Sequence, residues 1–173
     1  MKRKFYFLSL LAAGAMFAVN IDSAYTNSSG AVAGRTGSPG DSGANCGNSY
    51  CHAANAITSE EVSIDVILPD GETVFVAGNT YRVEVTGSKT TGSLGVIGFE
   101  ATVEDDANGK LGVLSVLNGD ATKIVESDFM THKLPGSVPM AGSRTWAFEW
   151  TAPTGFSGNA TVYTAVLFGN GNG

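Results

Sequence analysis

The chain has 173 residues, 43% of them hydrophobic and 15% charged, with 23 Gly, 2 Cys, 2 His and a formal net charge of −6. That length fits one domain with a short arm, and the sparse charge and abundant glycine argue against a helical bundle and fit an all-β chain rich in turns. The acidic balance makes nucleic acid a poor partner, and two cysteines are too few for a disulfide framework or a Cys-only zinc site.

Met1-Lys2-Arg3-Lys4 is a basic start, and Phe5 to Val19 is an apolar run broken only by small or hydroxyl residues. This pattern reads as a secretory signal peptide over residues 1–24, cleaved near Ala24. A buried N-terminal helix is the bland alternative. Removing residues 1–24 takes away Lys2, Arg3, Lys4 and Asp22 and moves the net charge from −6 to −8. The mature chain is then exported, to the periplasm, cell surface or medium, where disulfides are permitted. It has no second run of membrane-spanning length.

Residues 25–58 read as an irregular Gly/Ser-rich arm, with Pro39-Gly40-Asp41 as a turn signal and Cys46-Gly-Asn-Ser-Tyr-Cys51-His52 near its end. Residues 59–173 carry strand signals. Val62, Ile64, Val66 and Leu68 share one face of a first strand, which Pro69-Asp70-Gly71 ends. Tyr81, Val83 and Val85 alternate with Arg82 and Glu84. Ile97, Phe99, Ala101 and Val103 alternate with Gly98, Glu100, Thr102 and Glu104. Asp105 to Gly109 then reads as a hairpin turn, followed by a strand over 111–117. Shorter strands are expected over 121–125 and 129–132. Trp146, Phe148 and Trp150 alternate with Ala147 and Glu149, the strongest period-2 signal in the chain. Ala160 to Phe168 is apolar on both faces and predicts a central strand. Seven or eight short strands with a turn about every ten residues predict an antiparallel β-sandwich. So apolar a last strand calls for a partner on each side.

Three stretches together resemble the Reeler (reelin N-terminal-like) domain family, and are most similar to its bacterial relatives, the choice-of-anchor V domains of secreted Bacteroidota proteins. The first is Gly34-Arg35-Thr36-Gly37-Ser38-Pro39-Gly40-Asp41 running into the Cys…Cys-His segment. The second is Val76-Ala77-Gly78-Asn79-Thr80-Tyr81-Arg82-Val83-Glu84-Val85, with Ala77 where the family has Pro. The third is Thr131-His132 followed by Trp146-Ala147-Phe148-Glu149-Trp150-Thr151-Ala152-Pro153. The resemblance spans about residues 34–173. It implies an immunoglobulin-like, extracytoplasmic sandwich without enzymatic activity, and a domain that lacks the family's final strand after Gly173.

Cys46-x4-Cys51-His52 is a longer-spaced variant of the Cys-x-x-Cys-His haem attachment motif. Two thiols add across the porphyrin vinyl groups, and the adjacent His52 reaches the iron as proximal ligand, giving haem c. His132, Met130 and Met140 are the candidates for a distal ligand. A local Cys46–Cys51 disulfide explains the same pair in an exported protein. A metal site of Cys46, Cys51, His52 and His132 is a third reading, which needs reduced thiols. His132 is also readable as an ordinary sandwich histidine, since the resemblance places a Thr-His pair there in relatives without haem.

Other signals are weaker. Glu104 to Gly109 clusters oxygens but lacks the spacing and closing Glu of a calcium loop. The Trp146, Phe148 and Trp150 face reads as sandwich core before it reads as a sugar platform. No catalytic triad is legible. The sequence therefore points to an exported non-catalytic Reeler-like module, with two functions open. One is electron transfer or haem carrying through Cys46, Cys51 and His52 with a redox partner. The other is surface adhesion to an extracellular protein or polysaccharide, with Cys46–Cys51 as a structural disulfide.

Overall fold

A computed structural model describes residues 29–47, 62–69, 72–89, 95–117 and 121–169. Its strands are β1 (Val62–Ile67), β2 (Thr80–Ser88), β3 (Val96–Asp105), β4 (Val113–Val116), β5 (Thr122–Val125), β6 (Phe129–His132), β7 (Ser143–Thr151) and β8 (Ala160–Gly169). They form two four-stranded sheets, ordered β1-β2-β7-β4 and β5-β6-β3-β8. Every strand pair is antiparallel. The chain is thus an all-β sandwich, as its alternating sequence predicts.

The core lies between the sheets. Tyr81, Val83 and Val85 of β2 and Trp146, Phe148 and Trp150 of β7 face Ile97, Phe99, Ala101 and Val103 of β3 and Met130 of β6. The Phe99 ring stacks on Trp146 with centroids 4.5 Å apart and on Phe148 at 6.4 Å. Burying tryptophan requires a partner for its N–H. Trp146 Nε1 donates to Gly136 O at 2.8 Å and Trp150 Nε1 to Leu111 O at 2.7 Å, so the two rings also tie down neighbouring loops.

Three expectations change, and the place of β1 adds to them. First, β8 is the outermost strand of its sheet among the described residues, not a central one. Second, β1 is also an edge strand and is mostly exposed, because no strand flanks it on the far side among the described residues. Third, the turn after β3 closes only a short hairpin, with Asp105 N–H donating to Gly109 O and Leu111 N–H to Val103 O, both at 2.9 Å, about a Glu104–Lys110 bridge. The hairpin does not continue into β4, which pairs with β7 in the opposite sheet. Fourth, residues 29–47 are not a free arm but pack on the outer face of β3, burying Thr36 and Ser38.

Phe148 is fully buried between the sheets. Phe148→Ala should cost about 3–5 kcal/mol, seen as a lower urea midpoint with an unchanged slope; a loss below about 1 kcal/mol would contradict the packing described.

Candidate functional site

β3 is buried on both faces from Ile97 to Glu104. One face is the apolar core. The other carries Gly98, Glu100, Thr102 and Glu104, and two carboxylates do not leave water unless something satisfies them. The arm supplies the partners. A short 3-10 turn over Pro39–Asp41 follows Ser38, and Thr36 bridges to Asn45. Gly37 N–H donates to Ala44 O at 2.8 Å and Gly43 N–H to Ser38 O at 2.9 Å, closing a compact loop.

That loop sits on Glu104. Lys110 Nζ lies 2.6 Å from Glu104 Oε1 and 2.8 Å from Asp41 Oδ1, and 4.6 Å from the centre of the Phe129 ring. The Ser38 hydroxyl lies 2.7 Å from Glu104 Oε1 and 2.9 Å from Asp41 Oδ2; its single proton serves one of them at a time. Gly40 N–H donates to Glu104 Oε2 at 3.1 Å, and Thr36 Oγ1 donates to Asp41 Oδ2 at 2.7 Å. Gly40 is required here by space: a Cβ would collide with the Glu104 carboxylate and the Asn108 carbonyl.

The electrostatics follow from these contacts. Burial alone would raise the Asp41 carboxyl, but Lys110 and the hydroxyls of Thr36 and Ser38 outweigh it and hold Asp41 below its ordinary value. Burial likewise opposes ionisation of Glu104, and Lys110, Ser38 and the Gly40 N–H outweigh it. Lys110 is partly desolvated, yet its two carboxylates raise it above its ordinary value.

Glu100 is different. The Arg35 backbone N–H donates to its Oε2, while Oε1 is buried with no hydrogen-bond partner among the described residues. Burial pushes this carboxyl up to about 7, against the opposing pull of the Arg35 N–H. Arg35 Nε is also buried without a partner among the described residues. Cys46 Sγ lies 3.8 Å from the Arg35 carbonyl oxygen, so the half-buried Cys46 stands at the anchored end of this network.

The sequence-derived site residues separate in space. Cys51 and His52 lie outside the described residues. Met130 is fully buried in the core cluster, whereas Met140 is 70% exposed. His132 is buried, and its ring occupies the space that a side chain at Gly98 would need. Phe99 N–H donates to His132 Nδ1 at 3.1 Å, which ties the ring to β3. Asp105 Oδ1 accepts the N–H groups of Ala107 and Gly109, and Asp106 contacts Asn159, so the acidic turn uses its oxygens internally. Among the described residues no group of three or more His, Cys, Asp or Glu side chains is placed to hold a metal.

Arg35, Asp41, Glu100, Glu104 and Lys110 were not singled out from sequence. The available signal was faint: a Pro-Gly-Asp turn, glutamates on alternate positions of a strand, and a single lysine just after an acidic turn.

No protein-family model matches the chain, and no curated protein matches it significantly. Among solved structures, the reeler domain of human F-spondin aligns at a TM-score of 0.48 and 18% identity, covering 64% of this chain and 77% of that one. A structure of the Reelin-N domain of F-spondin aligns at the same TM-score and 15% identity, covering 64% and 74%. The sandwich assignment itself rests on the strand pairing described above.

Glu100 and the Asp41–Lys110–Glu104 cluster respond to pH in opposite senses. Raising a folded-state pKa makes the carboxyl destabilising once pH exceeds its unfolded value, fully so above the folded one. Glu100→Gln retains an acceptor for the Arg35 N–H and should stabilise the protein by on the order of 2 kcal/mol at pH 8. It should have no effect at pH 4, where the native carboxyl is already neutral; equal melting temperatures at pH 8 would show that Glu100 is hydrated. Asp41 and Glu104 instead stabilise at neutral pH and lose that contribution in acid, as pH falls through their lowered values. Lys110→Met leaves two carboxylates facing each other and should cost about 3 kcal/mol. It should also accelerate tryptic cleavage after Arg35 in the native protein, with Lys110→Arg restoring much of the protection. Unchanged cleavage would mean that this cluster does not hold the arm.

Proposed function

We propose that the chain is an exported, non-catalytic sandwich module whose docked arm presents Cys46, Cys51 and His52 for one covalently attached c-type haem, serving electron transfer or haem carrying. The observation that carries this reading is the anchorage of Cys46. The spacing Cys46-x4-Cys51-His52 begins where the arm is fixed to β3 through Arg35, Ser38, Gly40 and Asp41. A redox group needs such a rigid mount, because movement of its ligands changes its environment.

The local chemistry fits the group. Cys46 and Cys51 would hold the porphyrin and His52 would be the proximal ligand. Arg35, whose buried Nε has no partner among the described residues, would supply a cation for a propionate. When bound, the haem supplies a one-electron iron couple. The chain's own part is to fix the attachment segment, to offer positive charge beside it and to keep that segment against a folded surface. Acidic sandwich surfaces suit a basic redox partner, given the net charge of −6 for the whole chain.

Periplasmic expression with a working cytochrome c maturation system tests the reading. The expected product is coloured, keeps its Soret band after denaturation, and has the mass of chain plus haem. Cys51→Ser should lower the yield of covalent haem severalfold. A colourless product two hydrogens lighter than the reduced chain would overturn the haem reading in favour of an adhesion module with a Cys46–Cys51 disulfide.

A further inference from the structure

β8 spans ten residues, Ala160–Gly169, and none of them is charged or proline. It pairs along its whole length with β3 on one side. On the other side it has no strand among the described residues. Folded proteins protect such edges with lysine, proline, a bulge or a short strand, because an open row of N–H and C=O groups recruits another strand. β8 has none of these devices.

The opposite layer ends in the same way. β1 touches β8 across the sandwich. Ile64 and Val66 lie opposite Val85 and Val83, both fully buried, and so point into the sandwich. They nevertheless remain 38% and 39% exposed. Across from them Val162, Val166 and Phe168 pack against the core and stay only half-buried. Both layers therefore stop on one side with apolar side chains still in contact with water.

We propose that this side is an interface between two copies of the chain, formed by antiparallel pairing of β8 with its counterpart about a two-fold axis. Four observations select a second copy. An uncharged strand is self-complementary under two-fold pairing, since each edge offers the same alternating donors and acceptors. The chain as a whole is acidic, so most ways of bringing two copies together meet repulsion, and β8 avoids it. The one charge on β1, Asp65, lies opposite Glu84 on the outer face, away from the seam. Asp106, bonded to Asn159 just before β8, would meet the uncharged Gly169 end of the antiparallel partner rather than its own counterpart, and Glu104 and Asp105 lie on the β3 side of the strand. Pairing would extend the β5-β6-β3-β8 sheet across both copies and bring the two Ile64–Val66 rows together over it.

Sedimentation of the exported chain over a range of concentrations tests this. A dimer is expected, and hydrogen exchange across 160–169 should slow as concentration rises. Tyr163→Lys with Leu167→Lys sets lysines against lysines across the seam, since these positions lie symmetrically about Ala165. The pair should weaken dimerisation at least tenfold while the far-ultraviolet spectrum stays that of a sandwich. A monomer at every concentration would overturn the proposal. So would a dimer indifferent to the two lysines, or a monomer whose β8 amides are protected, which would assign the edge to a segment of the same chain. The exchange measurement on the unaltered protein decides the matter even if the double variant does not fold. Haem content is irrelevant to each outcome, so this interface and the haem reading stand or fall separately.

Discussion

The structure depends on how two carboxylates are kept on a face that water does not reach. Glu100 and Glu104 stand on the outer face of β3, both fully buried. An isolated carboxylate in such a place costs several kcal/mol, so it must be paired, neutralised or hydrated. The arm solves the problem differently at the two positions. At Glu104 it brings Ser38, the Gly40 N–H and, through Asp41, a shared claim on Lys110. At Glu100 it brings one backbone N–H, and the second oxygen has no partner among the described residues. The first site favours charge and the second favours the neutral acid.

This division gives the arm a preferred range of pH. In strong acid Asp41 and Glu104 take up protons and the lysine loses its partners. Above about 7 the Glu100 carboxyl ionises in a site that does not welcome it. The groups that bear on Glu100 are Arg35 and Asp41 of the arm and Lys110 after β3. Docking is strongest between these limits, and with docking goes the position of Cys46. The position of Cys46 is therefore coupled to a latch in the arm that is completed by side chains elsewhere in the chain.

Much of the fold was legible because strand sequences advertise their buried face. Trp146, Phe148 and Trp150 alternate cleanly, and so do Tyr81, Val83 and Val85, and all six are buried. Edges and coverings were not legible. Alternation says which side of a strand faces the core, but not whether the other side faces water or another segment. Gly98, Glu100, Thr102 and Glu104 alternate with the core positions of β3, and the arm covers Glu100 and Glu104 while His132 covers Gly98. Ala160 to Phe168 read as a central strand, since a run apolar on both faces usually has neighbours on both sides. Here the outer face is half-buried and the outer edge is open among the described residues. The turn after β3 carried a good hairpin signature, yet turn chemistry is local and the choice of sheet for β4 is not. In the candidate site the Cys-His spacing was visible, whereas Lys110 and Arg35 could be found only once the fold brought them beside the arm.

Covering and opening are linked through β3. Its core face is completed by the opposite sheet and its polar face by the arm and the His132 ring, so it is enclosed on all sides: β6 on one edge, β8 on the other, a layer above and a segment below. β8 inherits only part of that protection. It shares the β3 ladder, and its inward residues meet the core, but the arm contacts described here end on β3, the following turn and β6. A strand in that position is held along its whole length by β3, yet no strand lies along its other edge among the described residues. Order without coverage is the condition under which a strand edge binds another strand at low entropic cost, since nothing has to be straightened first. The same burial of β3 that fixes the arm on one face thus keeps the neighbouring strand extended at its edge.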